Sequence, residues 1–74
     1  MFTVKVIGQR DGRPAEGKRV QVFFEGFFRG QTSIQFTDHD GETHFSEDNG
    51  RGEIFVGRER VYRGDIRGRI VVYI

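Results

Sequence analysis

The segment DHDGETH, residues 38–44, gathers most of the side chains in this sequence that could bind a metal. It holds two aspartates, one glutamate and both histidines of the chain. A calcium loop beginning at its first aspartate would need glycine at position six and glutamate at position twelve, where the chain has Thr43 and Asn49. Zinc needs three or four converging ligands, and the odd spacing of His39 and His44 would put them on opposite faces of a strand. We therefore predict a β-turn, with the first aspartate accepting backbone N–H bonds, the glycine in the strained position and His44 facing solvent. We predict no metal and no cofactor.

Residues that enzymes use as nucleophiles lack their usual sequence context here. The chain has no cysteine, and Ser33 and Ser46 lie outside any G-x-S-x-G pattern. Neither G-x-x-x-x-G-K-S/T nor G-x-G-x-x-G occurs, so a phosphate-binding loop is not indicated. Carboxylates are spread along the whole chain, and no pair stands out as a general acid and base. We predict no catalytic residue and a protein that is not an enzyme.

Arginines concentrate in the last third of the chain. Residues 50–74 carry six arginines and three acids, a charge of +3, whereas residues 1–49 carry −2. Tyr62 and Tyr73 lie near these arginines and could stack on bases, which makes weak nucleic-acid binding an alternative function. Glu59 and Asp65 interrupt the arginines and favour a solvated charged surface instead. We therefore expect a protein partner rather than a nucleic acid.

The stretch VFFEGFFRG, residues 22–30, holds four phenylalanines. Alternation with Val20 and Val22 sends Phe24 into the core and points Phe23 the other way. The second phenylalanine pair follows Gly26, where the strand pattern breaks. Such a cluster beside an arginine predicts either an interface, most commonly between copies of the chain, or a cap over the end of the core. The candidate binding residues are Phe23, Phe27, Phe28 and Arg29.

The composition predicts an all-β protein with a single domain over residues 1–74. Eight valines, six isoleucines and eight phenylalanines stand against no leucine and one alanine, which favours strands over helices. Short runs with alternating apolar residues predict six or seven short antiparallel strands in a small sandwich or barrel. The runs cover residues 2–8, 19–25, 31–37, 42–45, 52–56, 61–63 and 69–74. In the third run, Thr32, Ile34 and Phe36 are expected on one side.

The apolar run at residues 69–74 has two interpretations. Apolar side chains on both faces fit a central strand between two layers. At the edge of a sheet, the same strand would favour pairing with another copy of the chain. The chain has neither a visible signal peptide nor an apolar run of about 20 residues that could span a membrane, so we expect no membrane association and a cytoplasmic protein.

Two segments together resemble the transthyretin-like, or carboxypeptidase regulatory-like, modules. These are DGRPAEGKRVQVFF, residues 11–24, and TDHDGETHF, residues 37–45, which follow the outline D-G-x-P-x-x-G-x-x-V-x-V and then T-D-x-D-G-x-x-x-F. The matching positions are Asp11, Gly12, Pro14, Gly17, Val20, Val22, Thr37, Asp38, Asp40, Gly41 and Phe45. The resemblance implies an Ig-like β-sandwich that supports, adheres or binds without catalysis. The Pro-Gly-x-Tyr segment that usually follows in such modules is replaced by GRGEIFVGRERVY.

The tripeptide Tyr62–Gly64 resembles the end of the transthyretin-related hydroxyisourate hydrolases, which is Tyr-Arg-Gly-Ser. Those enzymes use histidines and an arginine at a dimer channel, so this resemblance implies a hydrolase as an alternative function. Here Asp65 takes the fourth place and ten residues follow Gly64. The hydrolase interpretation requires His39 or His44 to converge with the arginine of the tripeptide.

Overall fold

A computed structural model describes residues 1–26 and 30–74 of the chain. The described residues form strands and connecting turns without a helix, and the strands make two sheets, compatible with a small β-sandwich. The predicted all-β fold is therefore confirmed. The strands are β1 (Phe2–Ile7), β2 (Arg19–Phe24), β3 (Gly30–Gln31), β4 (Gln35–Phe36), β5 (Glu42–Phe45), β6 (Gly50–Val56), β7 (Glu59–Ile66) and β8 (Gly68–Tyr73).

The first sheet has the order β5-β1-β8, with the first strand of the chain in its centre. β1 pairs antiparallel with β5 and parallel with β8, so the expectation of antiparallel pairing throughout was wrong for the last strand. β8 lies at an edge of this sheet. The interpretation of residues 69–74 as a central strand was therefore wrong, and the alternative of an edge strand is confirmed.

The second sheet has the order β3-β2-β6-β7, and β4 pairs with β2 beside β3. The hairpin of β6 and β7 is longer than its sequence pattern predicted, because the first strand begins at Gly50 instead of Gly52 and the second continues past Arg63 to Ile66. The predicted strand over residues 31–37 is interrupted and splits into β3 and β4. Thr32 is buried between these two pieces, whereas Ile34 and Phe36 are exposed, so the expected common face was wrong.

The core lies between the two sheets and consists of the inward residues of nearly every long strand. The buried apolar residues are Phe2, Val4, Val6, Val20, Val22, Phe24, Phe45, Ile54, Val56, Ile66, Ile70 and Val72. The ring of Phe2 joins the sheets, since it stacks on Phe45 with centroids 5.1 Å apart and meets Phe24 edge-on at 5.9 Å. Alternating β-branched and aromatic residues thus fill the pleated inner faces.

The two segments that carry the family resemblance are bound to each other near the start of β5. Gly41 has φ +74° and approaches the chain closely. An added Cβ there would stand 2.6 Å from the carbonyl oxygen of Val6 and 3.0 Å from the backbone nitrogen of Ala15. Ala15 donates to that same carbonyl at 2.9 Å, and Val6 donates to the carbonyl of Gly41 at 2.8 Å. A glycine is required here because both its backbone angle and the space around it exclude a side chain.

Candidate functional site

The sheet edges differ in how their backbone groups are protected from further pairing. On β5, the side chain of Gln35 acts as a substitute strand: its Nε2 donates to the carbonyl of His44 at 2.7 Å, and its Oε1 accepts the N–H of the same residue at 3.2 Å. The free side of β2 is covered by β3 and β4, which are only two residues long each. β7 carries the charged residues Arg60, Arg63 and Asp65. Short edge strands and charged side chains are the usual means by which proteins keep a sheet edge from pairing with another chain.

β8 is less protected among the described residues: it is six residues long, no side chain or short strand covers it, and its one charged residue is Arg69. Within residues 1–26 and 30–74 the pairing partner of β8 is β1. The hydrogen bonds from Ile74 to the carbonyl of Ile7 and from Gln9 to the carbonyl of Ile74 show which backbone groups face β1. Because these directions alternate along a strand, the N–H and C=O groups of Arg69, Val71 and Tyr73 point towards the open edge.

The side chains along this open edge are mostly apolar. Ile70 and Val72 turn into the core, whereas Val71, Tyr73 and Ile74 lie outside it with exposures of 39%, 55% and 39%. From Ile70 onwards this strand is apolar on both faces, and a strand of this kind that is unpaired along one side is a template for a further strand. We call residues 68–74 with their unpaired backbone groups the β8 edge.

The predicted phenylalanine site is only partly described by the structure. Phe23 lies on the outer face of the second sheet with 36% exposure, and Phe24 lies in the core, so their predicted opposite directions are confirmed. Phe23 meets Phe55 edge-on with a centroid distance of 5.3 Å. The other three candidate binding residues, Phe27, Phe28 and Arg29, lie outside the described residues. Their role as an interface stays a prediction.

The segment DHDGETH forms the predicted turn. The carboxylate Oδ1 of Asp38 accepts the backbone N–H groups of Asp40 at 2.9 Å and Glu42 at 3.0 Å. The pKa of Asp38 is lowered, chiefly because the N–H of Glu42 donates to its carboxylate. The N–H of Asp40 and the charges of the two histidines lower this pKa further, whereas partial desolvation raises it. His44 faces solvent, as predicted.

Three side chains of this segment converge on the outer face of the first sheet. Ligand atoms of Asp38, Glu42 and His44 all lie within 4.8 Å of one another. His39 is not part of this group and approaches Asp40 instead, at 3.6 Å, so the two histidines do not share a site, in agreement with the spacing argument. We call these three residues the Asp38–Glu42–His44 cluster.

Neighbouring strands hold the cluster in place. The imidazole Nδ1 of His44 lies 2.9 Å from Oγ1 of Thr3 on β1, and its Nε2 lies 3.7 Å from Oε1 of Glu42. The other carboxylate oxygen of Glu42, Oε2, accepts a bond of 3.2 Å from the guanidinium of Arg69 on β8. Sequence reasoning missed Thr3 and Arg69 because they lie 41 and 27 residues away from their partners.

His44 and Arg63, two residues of the hydrolase interpretation, lie on different sheets. His44 lies on the outer face of the first sheet, since its neighbours Thr43 and Phe45 point into the core. Arg63 is exposed on β7 in the second sheet. Tyr62 packs against the core, and its hydroxyl donates to the carbonyl of Asp65 at 2.7 Å.

Several arginines of the basic third of the chain have carboxylate partners. Arg60 contacts Glu53 at 2.7 Å, and Arg69 contacts Glu42 at 3.2 Å. Arg51 lies between two acids, and Arg67 stands 4.0 Å from a carboxylate oxygen. These pairs neutralise much of the local positive charge, which favours the solvated charged surface over a phosphate-binding one.

A scan against protein-family models and searches of curated proteins and of solved structures each found no match to this chain. The resemblance to transthyretin-like modules therefore stays a prediction from two sequence motifs. The part of the chain that the structure describes contains no helical segment with the length and hydropathy of a membrane span.

Proposed function

We propose that this chain is a non-enzymatic structural or interaction module that pairs with a second copy of itself through the β8 edge. The contrast among the sheet edges carries this proposal. Gln35 blocks the outer edge of β5, β3 and β4 cover β2, and charges line β7. The apolar β8 edge is left open among the described residues, which is the condition for strand addition.

A second copy fits this edge better than an arbitrary strand because the sequence of β8 is complementary to itself. An antiparallel pair with its two-fold axis at Val71 sets Arg69 of each copy opposite Tyr73 of the other. These three residues present the backbone groups that point away from β1, so each pair would exchange two hydrogen bonds. The same axis keeps the two copies of Arg69 apart, so each guanidinium can keep its bond to Glu42 of its own chain.

Such a dimer would join two three-stranded sheets into one continuous sheet and partly cover Val71, Tyr73 and Ile74. The interface would be isologous, with the same patch used by both copies, which is the commonest arrangement in soluble homodimers. A non-enzymatic role is supported by the separation of His44 from Arg63 on the outer faces of different sheets. The pairing of arginines with acids supports a protein partner over a nucleic acid.

The test is the solution mass by light scattering over a concentration series. The parent should approach twice the 8.6 kDa mass of the chain as concentration rises. Val71→Lys should remain folded by circular dichroism and stay monomeric, because two lysines would meet at the two-fold axis. Ile34→Lys is the matched control, because Ile34 is a β-branched residue outside β8 whose exposure of 43% is similar to the 39% of Val71. This control should dimerise like the parent.

Two results would contradict the proposal. A parent chain that stays monomeric at every concentration would remove self-association altogether. A dimer that survives Val71→Lys but dissociates in a Phe27→Ser/Phe28→Ser double variant would move the interface to the phenylalanine segment. A steep salt dependence of binding to single-stranded DNA would instead favour the nucleic-acid alternative.

A further inference from the structure

The Asp38–Glu42–His44 cluster has the donor set of a zinc site. Zinc takes imidazole nitrogen and carboxylate oxygen in tetrahedral geometry, and sites with three protein ligands leave the fourth position to water or another ligand. Calcium takes six to eight oxygen ligands, and a cluster of two carboxylates and an imidazole does not resemble such a set. The chemistry of these three side chains therefore favours zinc among the common divalent ions.

The spacing of the ligand atoms is close to what zinc requires. Zinc–ligand bonds of about 2.0–2.1 Å put tetrahedral ligands roughly 3.3 Å apart. Nε2 of His44 and Oε1 of Glu42 are 3.7 Å apart, and the whole group fits within 4.8 Å. Small rotations of the exposed side chains of Asp38 and His44 would close this difference without moving the backbone.

The cluster is also partly preorganised. Glu42 and His44 are two residues apart on β5 and share its outer face, because Thr43 between them is buried. Asp38 is fixed in the preceding turn by the two N–H groups that its Oδ1 accepts, which leaves its second carboxylate oxygen for a ligand. The turn and the strand thus supply their ligands from a rigid frame.

Thr3 orients the imidazole in the manner typical of metal-binding histidines. With the ring proton on Nδ1, that nitrogen donates to Oγ1 of Thr3 at 2.9 Å, and Nε2, which lies 3.7 Å from Oε1 of Glu42, is left without a proton. Arg69 holds the opposite oxygen of Glu42 and so leaves Oε1 on the side of the imidazole. His39 lacks such an arrangement, since its described contact is with the neighbouring Asp40.

We propose that Asp38, Glu42 and His44 bind one zinc ion on the outer face of the first sheet, with Thr3 as the positioning residue for His44. The three zinc ligands lie outside the β8 edge, and the proposed dimer uses the backbone groups of Arg69, whose guanidinium stays with Glu42. The site lies at the β5 side of the sheet, and the central strand β1 separates β5 from β8. Failure of one proposal therefore leaves the other standing.

The experiment is calorimetric titration of chelator-treated, untagged protein with zinc chloride. The parent should bind one ion per chain, and His44→Ala should abolish this binding. Thr3→Val should weaken zinc affinity by about 10–100-fold, the usual cost of removing the group that orients a ligand. His39→Ala is the matched control: it removes the other exposed histidine and should bind zinc like the parent. Val71→Lys should also bind like the parent.

Cobalt substitution adds a second readout, because a tetrahedral site gives intense visible absorption bands that the parent should show and His44→Ala should lack. The proposal is overturned if the parent takes up no zinc at stoichiometric concentrations. It is also overturned if His39→Ala loses affinity as much as His44→Ala, since that result would mean indiscriminate binding by surface histidines. Circular dichroism of each variant confirms that lost binding does not reflect lost folding.

Discussion

Alanine substitution at Gly41 and at Gly17 should separate two costs of placing a side chain on a left-handed backbone. One is the unfavourable backbone angle, and the other is steric overlap with neighbouring atoms. Both glycines have φ +74°. An alanine in this region costs about 1–2 kcal/mol at either position. Around Gly17 no described atom beyond its two chain neighbours lies within 4 Å of an added Cβ, so the backbone angle is the whole cost there. Gly17→Ala is therefore the matched control for Gly41→Ala.

At Gly41 a steric cost adds to the cost of the backbone angle. The added Cβ would stand 2.6 Å from the carbonyl oxygen of Val6, a separation that Cβ atoms essentially never show. The obstacle is backbone, and the carbonyl of Val6 already accepts the N–H of Ala15. Overpacking of this kind costs about 1–3 kcal/mol. We therefore expect losses of about 2–5 kcal/mol for Gly41→Ala and about 1–2 kcal/mol for Gly17→Ala, taking the two terms as additive.

The assay is urea unfolding followed by circular dichroism, with the free energy of unfolding extrapolated to water for parent and variants. Thermal unfolding provides a second measure, at about 4–8 °C per kcal/mol for a domain of this size. If Gly41→Ala is unfolded in plain buffer, sodium sulfate raises the stability of all three chains and restores the comparison. Equal losses for the two variants would refute the steric argument, and a Gly41→Ala chain as stable as the parent would refute both terms.

Two further substitutions test individual polar groups. Thr43→Val should raise the free energy of unfolding by about 1 kcal/mol, because the hydroxyl of Thr43 is buried without a hydrogen-bond partner among the described residues. A lower free energy of unfolding in urea experiments would instead mean that this hydroxyl is paired. Asp38→Asn should be less stable than the parent at pH 7, because the folded state lowers the pKa of this carboxyl, chiefly through the N–H of Glu42. Because the folded pKa of Asp38 is lower than the unfolded value near 4, its ionised carboxylate stabilises the folded state above about pH 4. This contribution is lost as the pH falls through the folded pKa. The difference in urea midpoint between parent and variant should therefore shrink below about pH 4. A difference that is constant from pH 3 to pH 7 would contradict this assignment.

Local alternation in the sequence correctly predicted which residues form the core. Val20, Val22 and Phe24 point inward and Phe23 points outward, because side chains alternate along any extended strand whatever its neighbours are. The turn at residues 38–41 was equally predictable, because both of its requirements are met locally. The carboxylate of Asp38 accepts a backbone N–H within the turn, and Gly41 adopts the positive φ. The segment 31–37 was mispredicted because its pattern does not reveal the break at Thr32, whose hydroxyl oxygen accepts the N–H of Val22 in place of a backbone carbonyl.

The sequence by itself thus determined the β class, the turn at residues 38–41 and the inward face of β2, all of which depend on neighbours a few positions apart. Tertiary structure alone decided which edges are open and which side chains meet. The sequence pattern of Arg69 to Tyr73 would be the same for a central strand as for an edge strand. Only the order β5-β1-β8 in the folded sheet puts this strand at the edge. The contact of Thr3 with His44 and the capping of β5 by Gln35 likewise depend on strand pairing and loop placement. Hydrogen-bond partners across strands are chosen by the whole fold, so no local pattern encodes them.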